Sequence, residues 1–342
     1  MLVVSSPEIA KEVMKTHDIN FAQRPHLLAT RIVTYDSTDI AFSPYGDYWR
    51  QLRKICVVEL LSAKRVKSFQ VIRKEEVSKL IRIINSSSRF PINLRDRISA
   101  FTYSAISRAA LGKECKDHDP LTAALGEITK LASVRHKLEK VQQRIDGILQ
   151  IVVDEHRERM KTTGGKLEEE KDLVDVLLKL QQDGDLELPL TDGNIKAVIL
   201  VRHFRWGGDT VSTAVEWTMA EMMKNPEVMK KHKLRLHPPF PLLLPRECRE
   251  KCKINGYEVP VKTRVVINAW AIGRGRRICP GILFGIPVIE LPLAQLLFHF
   301  DWKLPNGMRP EDLDMTEVHG LAVRKKHNLH LIPIPYSPLT VG

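Results

Sequence analysis

The chain has 342 residues, with 53 lysines and arginines against 41 aspartates and glutamates, and a formal charge of +12 with histidine neutral. A hydrophobic share of 43% supports a sizeable core, and ordinary glycine and proline contents exclude collagen-like and linker-type chains. Five cysteines are too few for a disulfide scaffold and favour a reducing compartment. No stretch reaches the roughly 18 apolar residues needed to span a bilayer.

Helical periodicity dominates the first two thirds of the chain. In these segments apolar residues recur three or four positions apart, which is typical of amphipathic helices. The predicted helices cover about 8–17, several segments within 44–85, and then 94–111, 136–160, 172–182 and 191–223.

The pattern changes after residue 236, where four prolines between 238 and 245 exclude a continuous helix. Strands are predicted over Lys253–Tyr257 and Arg264–Ile267, followed by a helix from about 281 to 300 and strands within 315–336.

This order predicts a mainly α fold with small β-sheets (α+β). We expect a single domain over 1–342, with a helix-rich part at 36–236 and a mixed β part at 237–342. No repeat and no clear linker divides the chain.

The most informative segment is Gly-Arg-Arg-Ile-Cys-Pro-Gly, from Gly275 to Gly281. The arginines before Cys279, and a helix that begins after it, would lower the pKa of this thiol and stabilise a thiolate. The two glycines would let the backbone approach a flat ligand closely. On these seven residues alone, a buried structural cysteine beside a basic turn is an equally good interpretation.

A second motif is Trp-Arg-Gln-Leu-Arg, from Trp49 to Arg53. The first and last residues are four apart, so they share one face of a helix. Taken alone, this pair is more often an amphipathic surface pair than part of a binding site.

A third motif, Gly-Gly-Asp-Thr, occupies residues 207–210 inside the predicted helix 191–223. An acid and an alcohol beside glycines are unusual there, because each glycine costs about 1 kcal/mol relative to alanine in a helix. The alternative is that Asp209 and Thr210 cap a helix after a glycine break.

Together with Leu244-Pro245-Arg246-Glu247, Phe21–Pro25 and Asp172–Leu178, these motifs make the chain resemble plant microsomal cytochromes P450 of the terpenoid and specialised-metabolite hydroxylase type. The resemblance implies a cytochrome P450-like fold. It also implies a haem-thiolate monooxygenase that inserts one oxygen atom from O2 into an apolar small molecule, with terpenoids as the indicated class. The implied cofactor is heme b, and the implied electron donor is an NADPH-dependent flavoprotein reductase.

The resemblance also assigns roles to particular residues. Cys279 would be the axial thiolate on the haem iron. Asp209 would help deliver protons, and Thr210 would hydrogen-bond bound dioxygen. The implied cofactor-binding residues, most of them at the haem propionates, are Trp49, Arg53, Arg246, Arg277 and Gly281.

The resemblance implies a location on the cytosolic face of the endoplasmic reticulum membrane, with a peripheral membrane contact. This chain lacks the family's membrane anchor, so as given we expect it to be soluble. No nucleic-acid partner is expected, because no aromatic stacking platform accompanies the basic residues. Cys248 and Cys252 lack the partners of a zinc site and are expected to bind no metal.

The chain departs from the family pattern at three residues: Ile272 replaces a phenylalanine, Trp206 a small residue, and His232 a glutamate. Besides the anchor, segments of the usual fold are missing near 135/136, 231/232 and 274/275. These departures leave an alternative open, namely a non-catalytic or misfolded remnant that binds haem weakly or not at all.

Overall fold

The computed structural model describes residues 1–112, 134–162, 172–203, 205–225, 244–267, 281–318 and 323–336. As predicted, it is mainly helical. The α-helices are α1 (Pro7–Lys11), α2 (Leu28–Val33), α3 (Asp47–Ile55), α4 (Ala63–Ser68), α5 (Gln70–Ser86), α6 (Leu94–Leu111), α7 (Arg135–Thr162), α8 (Leu173–Asp183), α9 (Asp192–His203), α10 (Arg205–Lys224) and α11 (Ile282–His299).

The strands are short and form small sheets, which also confirms the predicted α+β class. They are β1 (Leu2–Val4), β2 (Ile92–Asn93), β3 (Arg246–Glu247), β4 (Cys252–Ile254), β5 (Tyr257–Val259), β6 (Arg264–Ile267), β7 (Phe300–Lys303), β8 (Glu317–Val318), β9 (Arg324–Lys325) and β10 (His330–Pro335).

Local capping chemistry explains where several helices begin and end. Asp172 precedes α8 and accepts hydrogen bonds from the backbone N–H groups of Val174 and Asp175, in a reciprocal capping box. The same helix stops at Gly184, whose φ of 70° is in the left-handed region that favours glycine. Ser6 caps α1 in the same way through Ile9.

The predicted helix at 8–17 divides into α1 and a π-helical segment, Glu12–Thr16. The predicted helix at 191–223 corresponds to α9 and α10, which lie on either side of residue 204. Sequence periodicity did not indicate α2, because six residues are too few to display a repeating apolar face.

The chain divides into two compact units, each built from three stretches. The first unit comprises Met1–Arg65, Ser107–Trp206 and Leu242–Pro280, and the second comprises Val66–Ile106, Gly207–Pro241 and Gly281–Gly342. The single domain inferred from the sequence therefore stays a prediction, and each unit is described by itself below.

The first unit has two apolar cores. One lies among α7, α8 and α9, where Leu149 and Leu177 are buried with residues of α3. The other lies under a three-stranded sheet in the order β1-β6-β3, in which β1 pairs parallel and β3 antiparallel with β6. This sheet packs on α1 and places Arg246, in β3, against a buried layer.

The second unit combines α5 and α11 with a three-stranded antiparallel sheet in the order β2-β10-β7. Its buried residues include Trp217, whose indole N–H donates to the carbonyl oxygen of Val323 at 3.3 Å. Among the helices that the structure describes, none is both long enough and apolar enough to cross a membrane.

Candidate functional site

The predicted pair Trp49 and Arg53 lies on one face of α3. The indole of Trp49 is 3% exposed and donates its N–H to the carbonyl oxygen of Ile40 at 3.0 Å. The guanidinium carbon of Arg53 lies 5.4 Å from the centre of that indole, within the range of a cation–π contact. The structure therefore brings the two residues together and buries Trp49, which disfavours the surface-pair interpretation.

Arg246 is a cation buried in β3, with an exposed fraction of 3%. Its Nη1 donates to the carbonyl oxygen of Phe21 at 3.0 Å, and its nearest carboxylate oxygen, Oδ1 of Asp18, is 3.9 Å away. Because burial penalises the charged form, the pKa of Arg246 lies below its ordinary value. A guanidinium has five donors, so this group retains capacity for an anionic ligand.

Asp209 and Thr210 both lie within α10, four and five residues after its first residue. That position inside the helix disfavours the interpretation of the two residues as an N-terminal cap. Thr210 is partly buried, whereas the side chain of Asp209 lies outside the described part of the chain.

Gly281 is the N-cap residue of α11, and its carbonyl oxygen accepts hydrogen bonds from the N–H groups of Phe284 and Gly285. Its φ of −83° is accessible to any residue, so backbone strain does not require glycine here. The predicted iron ligand Cys279 and the predicted propionate contact Arg277 lie outside the described residues.

The predicted site residues are distributed between the two units. Trp49, Arg53 and Arg246 belong to the first unit, and Thr210 and Gly281 belong to the second.

Sequence reasoning missed a buried ionic cluster in the first unit. His156 bonds through Nε2 to Oδ2 of Asp172 at 2.9 Å, and Arg159 donates to Asp172 at 3.0 Å and to Asp175 at 2.6 Å. The ligand atoms of His156, Asp172 and Asp175 lie within 4.8 Å of one another, as they would in a metal site. Arg159 already contacts both carboxylates and His156 contacts one of them, so the cluster is better described as an ion-pair network.

A signal for this cluster is visible in retrospect. His156 follows Leu149, Val152 and Val153 on the apolar face of α7, where a polar residue needs a buried partner.

Comparison with known proteins identifies the family. The profile of the family "Cytochrome P450" matches residues 1–233 and 231–274 of this chain. The chain belongs to the cytochrome P450 family. It is a monooxygenase of the haem-iron class that acts in plant secondary metabolism.

Two curated relatives of this P450 cover almost all of it. Premnaspirodiene oxygenase from Hyoscyamus muticus is 42% identical, over 98% of this chain and 84% of that protein. Tabersonine 16-hydroxylase 2 from Catharanthus roseus is also 42% identical, over 98% of this chain and 83% of that protein.

A solved structure confirms the P450 fold. A zebra fish cytochrome P450 crystallised with abiraterone is 20% identical and has a TM-score of 0.83, over 98% of this chain and 93% of that chain.

The alignments also agree with the predicted internal interruptions of this P450. The alignment with premnaspirodiene oxygenase runs over 424 positions although this chain has 342 residues, so the relative contains segments with no counterpart here. The two matched stretches of the family profile overlap at residues 231–233, where the sequence predicts the junction of Lys231 and His232.

The described residues fit the carboxylates of a haem. Arg246 is buried with its nearest carboxylate at 3.9 Å, and Arg53 supplies a second cation beside an aromatic ring. Trp49 fits less directly, since its indole N–H is engaged by Ile40.

Proposed function

We propose that this P450 binds heme b through the thiolate of Cys279 and inserts one oxygen atom of O2 into an apolar small molecule. When bound, the haem supplies the oxygen chemistry, and the protein supplies the ligand, the pocket and the protons. The family match and the motif around Cys279 support this assignment.

The single observation that carries the proposal in the described structure is the buried, incompletely paired guanidinium of Arg246. Asp18, at 3.9 Å, compensates this buried charge only in part, and a haem propionate in direct contact would compensate it further. We assign Arg53 and Arg277 to the same role, with Trp49 packed against Arg53 and Gly281 at the start of the helix that follows the ligand loop.

We assign proton handling to Asp209 and Thr210. Both lie in α10, where the Thr210 hydroxyl holds a proton that it can donate and the Asp209 carboxylate can bind and release one.

The substrate class follows from the relatives' names. One relative is an oxygenase of premnaspirodiene and another a hydroxylase of tabersonine, so a bulky, largely apolar specialised metabolite, with terpenoids first, is the substrate class that we propose. The electron donor would be an NADPH-dependent flavoprotein reductase. The location would be the cytosolic face of the endoplasmic reticulum, with a peripheral membrane contact.

The test is the absorption spectrum of the reduced, carbon monoxide-bound chain after expression with a haem precursor. Haem ligated by a thiolate should give a red-shifted band that is lost in Cys279→Ala and retained in the matched variant Cys252→Ala. A chain that folds by circular dichroism but retains no haem would contradict the proposal. That outcome would favour the non-catalytic remnant, which the relatives' additional segments also favour.

A second comparison tests the role of Arg246. Arg246→Leu should lower the haem retained per chain several-fold. Arg249→Leu, which removes an exposed arginine three residues away, should leave it unchanged. Equal retention in both variants would overturn the assignment of Arg246.

A further inference from the structure

Two free cysteines lie close together at the turn that joins β3 to β4. Cys248 directly follows β3 and is fully buried, with an exposed fraction of 0%. Cys252 begins β4 and is partly exposed. The two residues are separated by only three others, and the cytochrome P450 chemistry described above uses neither of them.

The backbone holds both cysteines in fixed positions. The N–H of Cys248 donates to the carbonyl oxygen of Thr263 at 2.9 Å, and the N–H of Lys262 donates to the carbonyl oxygen of Cys248 at 2.7 Å. Cys252 is the register partner of Val259 in the β4–β5 hairpin. The sulfur of Cys248 lies 3.9 Å from the carbonyl oxygen of that same Val259, so it is next to the ladder position of Cys252.

Asn20 fixes the turn between the two cysteines. Its side-chain amide donates to the carbonyl oxygen of Glu250 at 2.6 Å, and its backbone carbonyl accepts from the N–H of Arg249 at 2.9 Å. The thiol of Cys248 points into this turn, 3.0 Å from the carbonyl oxygen of Glu250. The geometry of the pair is therefore set before any reaction, which lowers the entropic cost of joining the two sulfurs.

The two thiols differ in their access to solvent. Burial, followed by the charge and side-chain hydrogen bond of the neighbouring Cys252, raises the pKa of Cys248 to about 11. Cys248 is accordingly a protonated, shielded thiol, and Cys252 is the member of the pair that solvent can reach.

We propose that Cys248 and Cys252 form a reversible intramolecular disulfide, with a small-molecule disulfide such as oxidised glutathione as the oxidant. The Cys252 thiolate attacks one sulfur of oxidised glutathione, which forms a mixed disulfide and releases one glutathione thiolate. Cys248 then loses its proton, attacks the Cys252 sulfur and displaces the second glutathione. Two protein thiols are oxidised, and one glutathione disulfide is reduced to two thiols.

The disulfide would restrain the backbone locally. It would tie the end of β3, two residues after Arg246, to the β4–β5 hairpin. In a reducing compartment the pair would stay reduced and would close only under oxidising conditions, as is typical of redox-sensing disulfides in such compartments. This inference does not depend on haem binding.

The test equilibrates the full chain with glutathione buffers of rising oxidised fraction, blocks the remaining thiols and maps the peptides by mass spectrometry. Because trypsin cleaves after Arg249 and Lys251, the disulfide would join two separate peptides. We expect the free thiols at positions 248 and 252 to disappear together as the oxidised fraction of glutathione rises. The buried Cys56 is the control: at the same glutathione ratio it should still react with the alkylating reagent after the chain is unfolded.

Two variants separate the steps. Cys248→Ser should leave a stable glutathione adduct on Cys252, and Cys252→Ser should leave Cys248 reduced. A wild-type chain that accumulates the glutathione adduct on Cys252 with Cys248 still free, or that keeps both thiols, would overturn the proposal. The wild-type mapping alone gives this answer, so the test holds even if a variant does not fold.

Discussion

The two units bury charge in different ways. In the second unit, Glu216 is fully buried and accepts from Nη1 of Arg95 at 2.9 Å and from the backbone N–H of Leu329 at 2.8 Å. In the first unit, His156 is buried between the carbonyl oxygen of Val152, 2.7 Å from Nδ1, and Asp172, 2.9 Å from Nε2.

The two pairs differ chemically because one of them contains the imidazole ring of a histidine. The arginine–glutamate pair joins two buried side chains of opposite charge at 2.9 Å. Both ring nitrogens of His156 face oxygen atoms that accept hydrogen bonds, so both must donate, and the ring is an imidazolium. The second unit therefore buries an arginine–glutamate pair, whereas the pair in the first unit contains a histidine that can lose its proton.

The largest expected effect comes from breaking the buried arginine–glutamate pair. Glu216→Gln keeps the side-chain shape but leaves Arg95 buried without its counter-charge. Urea unfolding should show a loss of about 3–5 kcal/mol in the free energy of unfolding. The double variant Glu216→Gln/Arg95→Met should recover part of that loss, and strictly additive effects would contradict a coupled pair.

The second prediction concerns the titratable cluster. Burial by itself lowers the pKa of His156, but the hydrogen bond and charge of Asp172 raise it above its ordinary value. A raised folded-state pKa stabilises the protein fully below the unfolded value of about 6.5, and this stability is lost as the pH rises through the folded value. The urea midpoint should therefore decrease as the pH is raised above about 6.5.

Asp172 determines how the stability of the same cluster responds to acid pH. Burial by itself raises its pKa, but the bonds from His156 and Arg159 hold it below its ordinary value. Its contribution is present above the unfolded value of about 3.9 and is lost as the pH falls through the folded value.

The variant His156→Gln isolates the histidine. At pH 6 it should cost about 1.5–3 kcal/mol, the range for hydrogen bonds to charged groups, and it should lessen the decline in stability at alkaline pH. If the free energy of unfolding of the variant declined at alkaline pH as steeply as that of the wild type, His156 would not be the titrating group.

Arg73 sharpens the comparison because it is a buried cation that forms no ion pair with the carboxylates of the described residues. Within that part of the chain its Nη1 has no hydrogen-bond partner, and its guanidinium carbon lies 6.0 Å from the centre of the Phe284 ring. Burial lowers its pKa accordingly. Arg73→Met keeps the apolar stem and removes the desolvated charge, so it should raise the free energy of unfolding by about 1 kcal/mol. A loss as large as that of Glu216→Gln would show that Arg73 is paired in solution.

The smallest effect is expected at the surface. Arg309 contacts Asp312 at 3.0 Å and Glu311 at 3.4 Å, and all three side chains are well exposed. Arg309→Ala should change the free energy of unfolding by less than about 1 kcal/mol, and added salt should reduce even that. This variant is the baseline against which the buried pairs are measured.

The sequence predicts the long helices well because their apolar residues recur with the helical period. The helix α7 runs from Arg135 to Thr162 around the predicted 136–160, and α8 covers Leu173–Asp183 against the predicted 172–182. The i, i+4 spacing of Trp49 and Arg53 likewise places both on one face of α3.

Pairings between distant residues could not be read in the same way. The partner of Arg95 is 121 residues away, and His156 bonds to the residue that caps another helix. Periodicity identifies which face of a helix is buried, but it does not identify which charge lies opposite. The same limit applies to the proposed haem site. Arg246 is buried against Phe21 because β3 pairs with β6, which also pairs with β1 near the start of the chain.

That sheet has a consequence for the order of synthesis. Leu2 of β1 pairs with Val265 of β6, so β1 stays unpaired until the ribosome has synthesised β6. At about 5–20 residues per second, the delay is roughly 13–50 seconds. Throughout that interval Val4 and the α1 residues packed beside it lack their apolar cover. The nascent chain therefore exposes this apolar surface to chaperones and proteases until β6 has been synthesised.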